Sequence, residues 1–193
     1  MAYEKKALEK TILDITERQL FRYGYKSLNL NEVAKEAGIS KVTLYKIFDS
    51  KYEVTSRVIK RILENSDLEM SNLLQIELPL QRKIEQGIKI ISSLYLKMDK
   101  DFLYDLEHSL PELWQQIDDV RKSKEEMIAR LLTDAQNGGT IREDMDAKLL
   151  SALIMALIRG VYNPNFFFNH NVSADTVGSI IVNIFMDGIL KDE

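Results

Sequence analysis

Lys41, Thr43, Tyr45 and Lys46 follow Gly38-Ile39-Ser40 within a few residues of one another. Two ammonium groups, a hydroxyl and an aromatic ring tipped with a hydroxyl can reach phosphates and base edges. Lys51 falls in the first turn of the next expected helix, where backbone N–H groups also point outward. A cation beside a helix N-terminus is a phosphate anchor, and Asn29, at the start of an earlier helix, can serve similarly. Material for other chemistry is scarce. The absence of cysteine removes disulfides, thiolate metal sites and a cysteine nucleophile. Two histidines, His108 and His170, are too few for a histidine metal cage. The carboxylate pairs Asp99/Asp101 and Asp118/Asp119 lie on polar helix edges where solvation accounts for them, and no nucleophile–base pair is visible. The reading is a protein that is not an enzyme and carries no catalytic residues, cofactor or metal.

The elements that must position these groups are helical almost throughout. Three prolines and eight glycines leave long windows uninterrupted. Leu8, Ile12, Ile15, Leu20 and Tyr23 fall near helical spacing, with Gly24 placed to end the segment. Asn29 with Glu32 resembles a capping box, which predicts a second helix from residue 30 to Gly38. Ser40 is placed to cap a third from Lys41 to about Phe48, and Ser50 a fourth running to about Leu74. Beyond Pro79 the pattern predicts helices at 80–98, 101–108, 112–136, 147–161 and 174–190. Pro111 starts the long one, Asn137-Gly138-Gly139 closes it, and Asp146 and Ser173 cap the last two. The run Phe166-Phe167-Phe168 is expected in a connecting loop. The total is about nine helices.

Two short helices separated by Gly38-Ile39-Ser40, with Ala34 and Ala37 allowing close crossing and Ile39 and Leu44 anchoring the turn, have the layout of a helix-turn-helix. Helices this short need long neighbours packed against them. At this point the stretch Gly24 to Val54 resembles the DNA-binding segment of TetR/AcrR-family transcriptional regulators. The matching elements are Gly24-Tyr25, Val33-Ala34, Ala37-Gly38-Ile39-Ser40, Thr43-Leu44-Tyr45, Phe48 and Ser50-Lys51. The resemblance implies an all-α fold: a three-helix DNA-binding domain over 1–50 and a six-helix ligand-binding and dimerisation domain over 51–193. It places Thr43 near bases and Tyr45 and Lys51 on phosphate oxygens. The DNA-binding set is Asn29, Asn31, Lys41, Val42, Thr43, Tyr45, Lys46 and Lys51. Val42 stands where the family often has glycine and suits an apolar contact with a thymine methyl. Ile47 stands where a Tyr or His is common, removing one polar phosphate contact, and Asn29 replaces the usual Thr or Ser cap.

The charge is uneven. Residues 1–65 carry 13 basic against 9 acidic side chains, and residues 66–193 carry 13 against 21, which sum to the net −4. A basic end on an acidic body suits an anionic partner met by that end alone. Residues 147–161 and 174–190 are apolar nearly all round, which requires burial on more than one side. Paired between two chains they would make a four-helix, two-fold interface, with Ala152, Ala156, Gly160, Gly178 and Ser179 permitting close approach.

The apolar positions Ile91, Tyr95, Met98, Phe102, Leu103, Leu106, Trp114 and Ile117 are candidates for an inducer pocket, with Leu94 and Met127 beside them. Tyr104, His108 and Gln115 are polar groups that could orient a ligand. Composition favours a hydrophobic small molecule. The expected function is a ligand-responsive DNA-binding regulator, a repressor that binds a palindromic operator in double-stranded DNA as a homodimer. Regulation by a protein partner instead of a small molecule is the alternative. No apolar stretch approaches the roughly 18–20 residues of a membrane span, and a soluble, cytoplasmic protein without membrane contact is expected.

Overall fold

The computed structural model describes residues 2–97, 100–162 and 164–189. They form ten helices: α1 (Ala2–Ser27), α2 (Leu30–Glu36), α3 (Lys41–Tyr45), α4 (Lys51–Gln75), α5 (Leu80–Lys97), α6 (Lys100–Ser109), α7 (Pro111–Asn137), α8 (Ala147–Val161), α9 (Pro164–His170) and α10 (Ala174–Ile189). The all-α expectation holds, and three local differences have physical causes. At Gly24 the helical path breaks, with φ 76° and ψ 172°, but helical structure resumes as far as Ser27. Helix α3 stops at Tyr45, short of Phe48. The amides of Ile47 and Phe48 both bond back to the Leu44 carbonyl, so the chain closes in a turn that buries the Phe48 ring. Residues 164–170, expected as a loop, are α9. Pro164 presets a helical φ at its first position, and the Phe166 and Phe167 rings pack edge-to-face at 6.2 Å.

The chain divides into two compact units, one of residues 1–65 with 97–116 and the other of 66–96 with 117–193. The helix-turn-helix therefore shares its unit with the first part of α4 and with α6, a division set later along the chain than residue 50 and not contiguous in sequence.

In the first unit Ile12, Ile15, Leu20, Val33, Leu44, Phe48, Val54 and Val58 are buried together with Phe102 and Leu106 of α6. Charged side chains fasten its helices at the surface. Arg57 of α4 bonds Glu9 and Glu53, each at 2.6 Å. Arg61 reaches Asp14 at 2.7 Å and Glu17 at 2.6 Å. Glu36 of α2 takes hydrogen bonds from Arg18 and Gln19 of α1. In the second unit, residues of α4, α5, α7, α8 and α10 form one apolar core that includes Met70, Ile84, Ile88, Leu132, Ile154 and Val182.

Candidate nucleic-acid interface

The turn that aims α3 is built from backbone hydrogen bonds. Gly38 lies at φ 69°, a left-handed conformation that side chains other than glycine's resist. This lets the Ile39 amide reach the Ala34 carbonyl at 3.0 Å and the Gly38 amide reach that of Lys35 at 3.1 Å. Together they form a Schellman closure of α2. Two residues later Ser40 caps α3, its hydroxyl accepting the Thr43 N–H at 3.1 Å. The Asn29 carboxamide accepts the Asn31 N–H at 2.9 Å and so starts α2, one residue earlier than a capping box with Glu32 requires. Ser50 starts α4 by accepting the Glu53 N–H at 3.0 Å, while the Glu53 carboxylate takes the Asp49 N–H at 2.5 Å. That backbone bond, helped by Arg57 against the opposing effect of burial, holds the Glu53 carboxyl below its ordinary pKa.

With α3 fixed in this way, Leu44 points wholly inward and the side chains of interest point outward. Lys41 and Lys46 are exposed, Val42 is 66% exposed and Tyr45 41% exposed. The Lys41 ammonium lies 5.7 Å from the Tyr45 ring centre, and the Thr43 hydroxyl shares a 2.9 Å hydrogen bond with that of Ser40. Asn29, Asn31, Lys41, Tyr45, Lys51 and also Lys26 line one open cleft at the surface of the unit. The structure thus gathers five of the eight proposed DNA-binding residues around one depression. Val42, Thr43 and Lys46 complete the set on α3.

Lys51 is held more tightly than a surface anchor. Its ammonium donates to the Lys26 carbonyl at 3.0 Å and sits 4.7 Å from the centre of the Tyr25 ring. Burial lowers its pKa, with Asp105 pulling the other way. Asp105, on α6, is buried and accepts from the Lys26 backbone N–H at 3.0 Å and pairs with the Lys26 ammonium at 3.1 Å. Burial alone would raise the Asp105 carboxyl, but these bonds outweigh it and leave the group below the ordinary carboxylate value. Sequence reasoning missed Tyr25, Lys26 and Asp105 as parts of this site. Lys26 carried a usable signal, a cation in the last turn of a helix; Asp105 did not, being 79 residues away.

The described inducer candidates divide between the two units. Phe102 and Leu106 are fully buried in the first unit, with the Phe102 ring 5.8 Å from that of Phe21. Ile91 belongs to the core of the second unit. Trp114 and Ile117, both half-buried, are assigned to different units. Met98 lies outside the described residues, as do the side chains of Leu94, Tyr95 and Leu103. His108 is exposed and stacks on Tyr104 at 4.0 Å. The second unit encloses a cavity lined instead by Met70, Leu73, Ile84, Gly87, Met127 and Ile154 among others.

A glycine-closed turn that presents an outward helix edge carrying Lys41 and Lys46, on an all-α chain, defines a helix-turn-helix. Residues 12–58 match the family model of the bacterial regulatory proteins of the tetR family. It is 25% identical to the HTH-type transcriptional regulator YvaF of Bacillus subtilis, over 96% of this chain and 97% of that one. The fold matches a TetR transcriptional regulator from Chloroflexus aurantiacus with a TM-score of 0.77 at 15% identity, over 98% of this chain and 100% of that one. It also matches the regulator FadR from Bacillus subtilis, in complex with stearoyl-CoA, with a TM-score of 0.69 at 18% identity, over 93% and 98% of the two chains. All three are described as transcriptional regulators. Among the described residues no helix is long and apolar enough to cross a membrane, and no cluster of residues could hold a metal ion.

Proposed function

We propose that this regulator is a repressor that binds a palindromic operator as a homodimer and leaves it when a small hydrophobic inducer binds the second unit. The carrying observation is the cleft that gathers Asn29, Asn31, Lys41, Tyr45 and Lys51 beside the exposed edge of α3. Val42, Thr43 and Lys46 meet base edges or the adjoining phosphates in the major groove. Lys41, Tyr45, Lys51 and the two asparagines take the sugar-phosphate backbone.

The dimer is supported by the apolar residues that α8 and α10 leave uncovered. Leu149, Leu153 and Leu157 recur at four-residue spacing on α8, and Ile180 and Ile184 do so on α10, all of them exposed. One turn-spaced apolar stripe on each helix fits a two-fold four-helix interface. Gly178 also permits close packing inside one chain. It is buried within one chain, and a Cβ there would lie 2.7 Å from the Tyr162 hydroxyl. The inducer acts by preferring one arrangement of the two heads, so that they no longer fit grooves one helical turn, about 34–36 Å, or a multiple apart. The stearoyl-CoA bound by FadR is one example of such hydrophobic chemistry.

The test is fluorescence anisotropy on fragments of the source genome. Binding is expected to weaken at least about tenfold between roughly 50 and 200 mM salt, as several phosphates regain their counterions. The double substitution Thr43→Ala with Lys51→Ala is expected to abolish specific binding while leaving the dimer and its helical content intact. A salt-independent curve, or an intact double variant that still finds the same fragments, would overturn the proposal.

A further inference from the structure

The cavity of the second unit measures about 20 Å³, little more than one water molecule needs, and its walls are apolar apart from Lys83. Two of its walls are methionines, Met70 of α4 and Met127 of α7. Their unbranched thioethers adopt new rotamers at low cost. Opposite Met70 the wall is Gly87, where a Cβ would stand 3.8 Å from the Met70 methyl. A small, largely apolar void between flexible side chains and a bare backbone is space that an apolar chain can enlarge.

One turn further along the same helix stripes the chemistry changes. Ser66 precedes Met70 by four residues on α4, and Lys124 precedes Met127 and Ile128 by three and four on α7. The Lys124 side chain is 2% exposed, and its ammonium bonds Asp67 at 2.7 Å, which brings this turn of α7 against the Ser66–Asp67 turn of α4. The Ser66 hydroxyl is buried and has no hydrogen-bond partner. A buried hydroxyl without a partner, one residue from the carboxylate that pairs Lys124, costs stability unless something accepts from it. Asp67 is 51% exposed, so it can release Lys124 to a ligand and remain solvated, stranding no buried carboxylate.

We infer that Lys124 and Ser66 form the head site, and the Met70–Gly87–Met127 cavity the tail site, for an apolar chain that ends in a carboxylate. This rests on the ligand-responsive reading above and specifies its ligand class. The carboxylate accepts from the Lys124 ammonium and the Ser66 hydroxyl, and the chain fills the cavity as the methionines turn aside. Lys83, which also lines the cavity, is occupied with the Leu74 carbonyl at 3.3 Å and serves as the control cation.

Calorimetry on the full chain with decanoate and decanol separates the alternatives. The protein is expected to bind decanoate at least about tenfold more tightly than decanol, a difference set by the charged head alone. Lys124→Met, which keeps the volume of the side chain, removes that preference; Lys83→Met keeps it. Ser66→Ala deletes a hydroxyl without a partner, so it retains the fold and still weakens decanoate several-fold. Gly87→Leu fills the tail space and weakens both probes together. Equal binding of the two probes by the unaltered protein, or a preference unchanged in Lys124→Met or transferred to Lys83, would overturn the inference and mean that the Lys124–Asp67 pair is structural only. Anisotropy on the operator separates this result from the broader reading. If stearoyl-CoA releases the unaltered protein and Lys124→Met alike while decanoate does not bind, the carboxylate site falls and ligand-controlled repression stands. If decanoate binds with the stated preference yet leaves DNA affinity unchanged, the site stands and ligand control by it falls.

Discussion

Lys46 and Lys51 are separated by five positions and would be counted alike in any census of positive charge, yet their surroundings give them different work. Lys46 is exposed at the end of α3, where its backbone N–H bonds the Leu44 and Val42 carbonyls and its side chain is left to solvent. Lys51 is half-buried, bonded to the Lys26 carbonyl and set over the Tyr25 ring. Replacing Lys46 by alanine is expected to leave the melting temperature unchanged and to reduce the slope of log affinity against log salt by about one, the signature of one lost phosphate contact. Lys51→Ala is expected to reduce the slope similarly and also to lower stability by about 0.5–1 kcal/mol, since the Lys26 carbonyl loses its partner. Thermal melts beside salt titrations of the two variants read the difference directly; equal melts would mean that the Lys51 bond adds nothing to the fold. Types and spacing made both lysines legible as DNA-facing candidates. The second role of Lys51 was not legible, because it depends on a carbonyl 25 residues earlier in the chain.

Among the elements, what could be read was what is local. Ser40, Ser50, Asp146 and Ser173 all cap the helices that follow them, because a cap needs only a short acceptor and the next turn of backbone. Gly38 closes α2 for the same reason, by its own left-handed φ. Helix α9 was not legible, since its phenylalanines read as an isolated run, although Phe166 and Phe167 are held by core packing. The place of α6 was missed as well: Asp105 ties it to the end of α1 through Lys26, a link with no trace in local spacing. The depressed pKa of Asp105 fixes the sign of its contribution. The ionised form is the one that is bonded, so its stabilisation is present above the ordinary carboxylate value of 3.8 and is lost as pH falls through the still lower folded value. Asp105→Asn is therefore expected to lower the melting temperature at neutral pH, and the gap to the unaltered protein is expected to narrow progressively in acid. Melts across that range check it, and a gap that stays constant with pH would assign the cost to shape and not to charge.

For the molecule as a whole, the sequence pattern pointed to two helices too apolar to be covered within one chain, and the structure leaves a defined part of each uncovered. Ile154, Met155 and Ile158 of α8 are buried inside the second unit, while Leu149, Leu153 and Leu157 on the same helix are not. Helix α10 divides in the same way, with Ile181, Val182 and Met186 inside and Ile180 and Ile184 outside. A five-residue recognition helix offers few base contacts, so one head alone binds weakly, and joining two heads makes the second docking event intramolecular. Assembly and DNA affinity should therefore fail together when the uncovered stripe is spoiled. Leu153→Glu puts a charge at the middle of the α8 stripe without touching a buried position, so the single chain keeps its fold. Sedimentation is expected to show a monomer, circular dichroism an unchanged helix content, and anisotropy a loss of operator affinity of about a hundredfold or more, the lower end of what linked binding sites supply. A monomer that retained full affinity would place recognition in one head alone. A dimer that survived the charge would move the interface off α8.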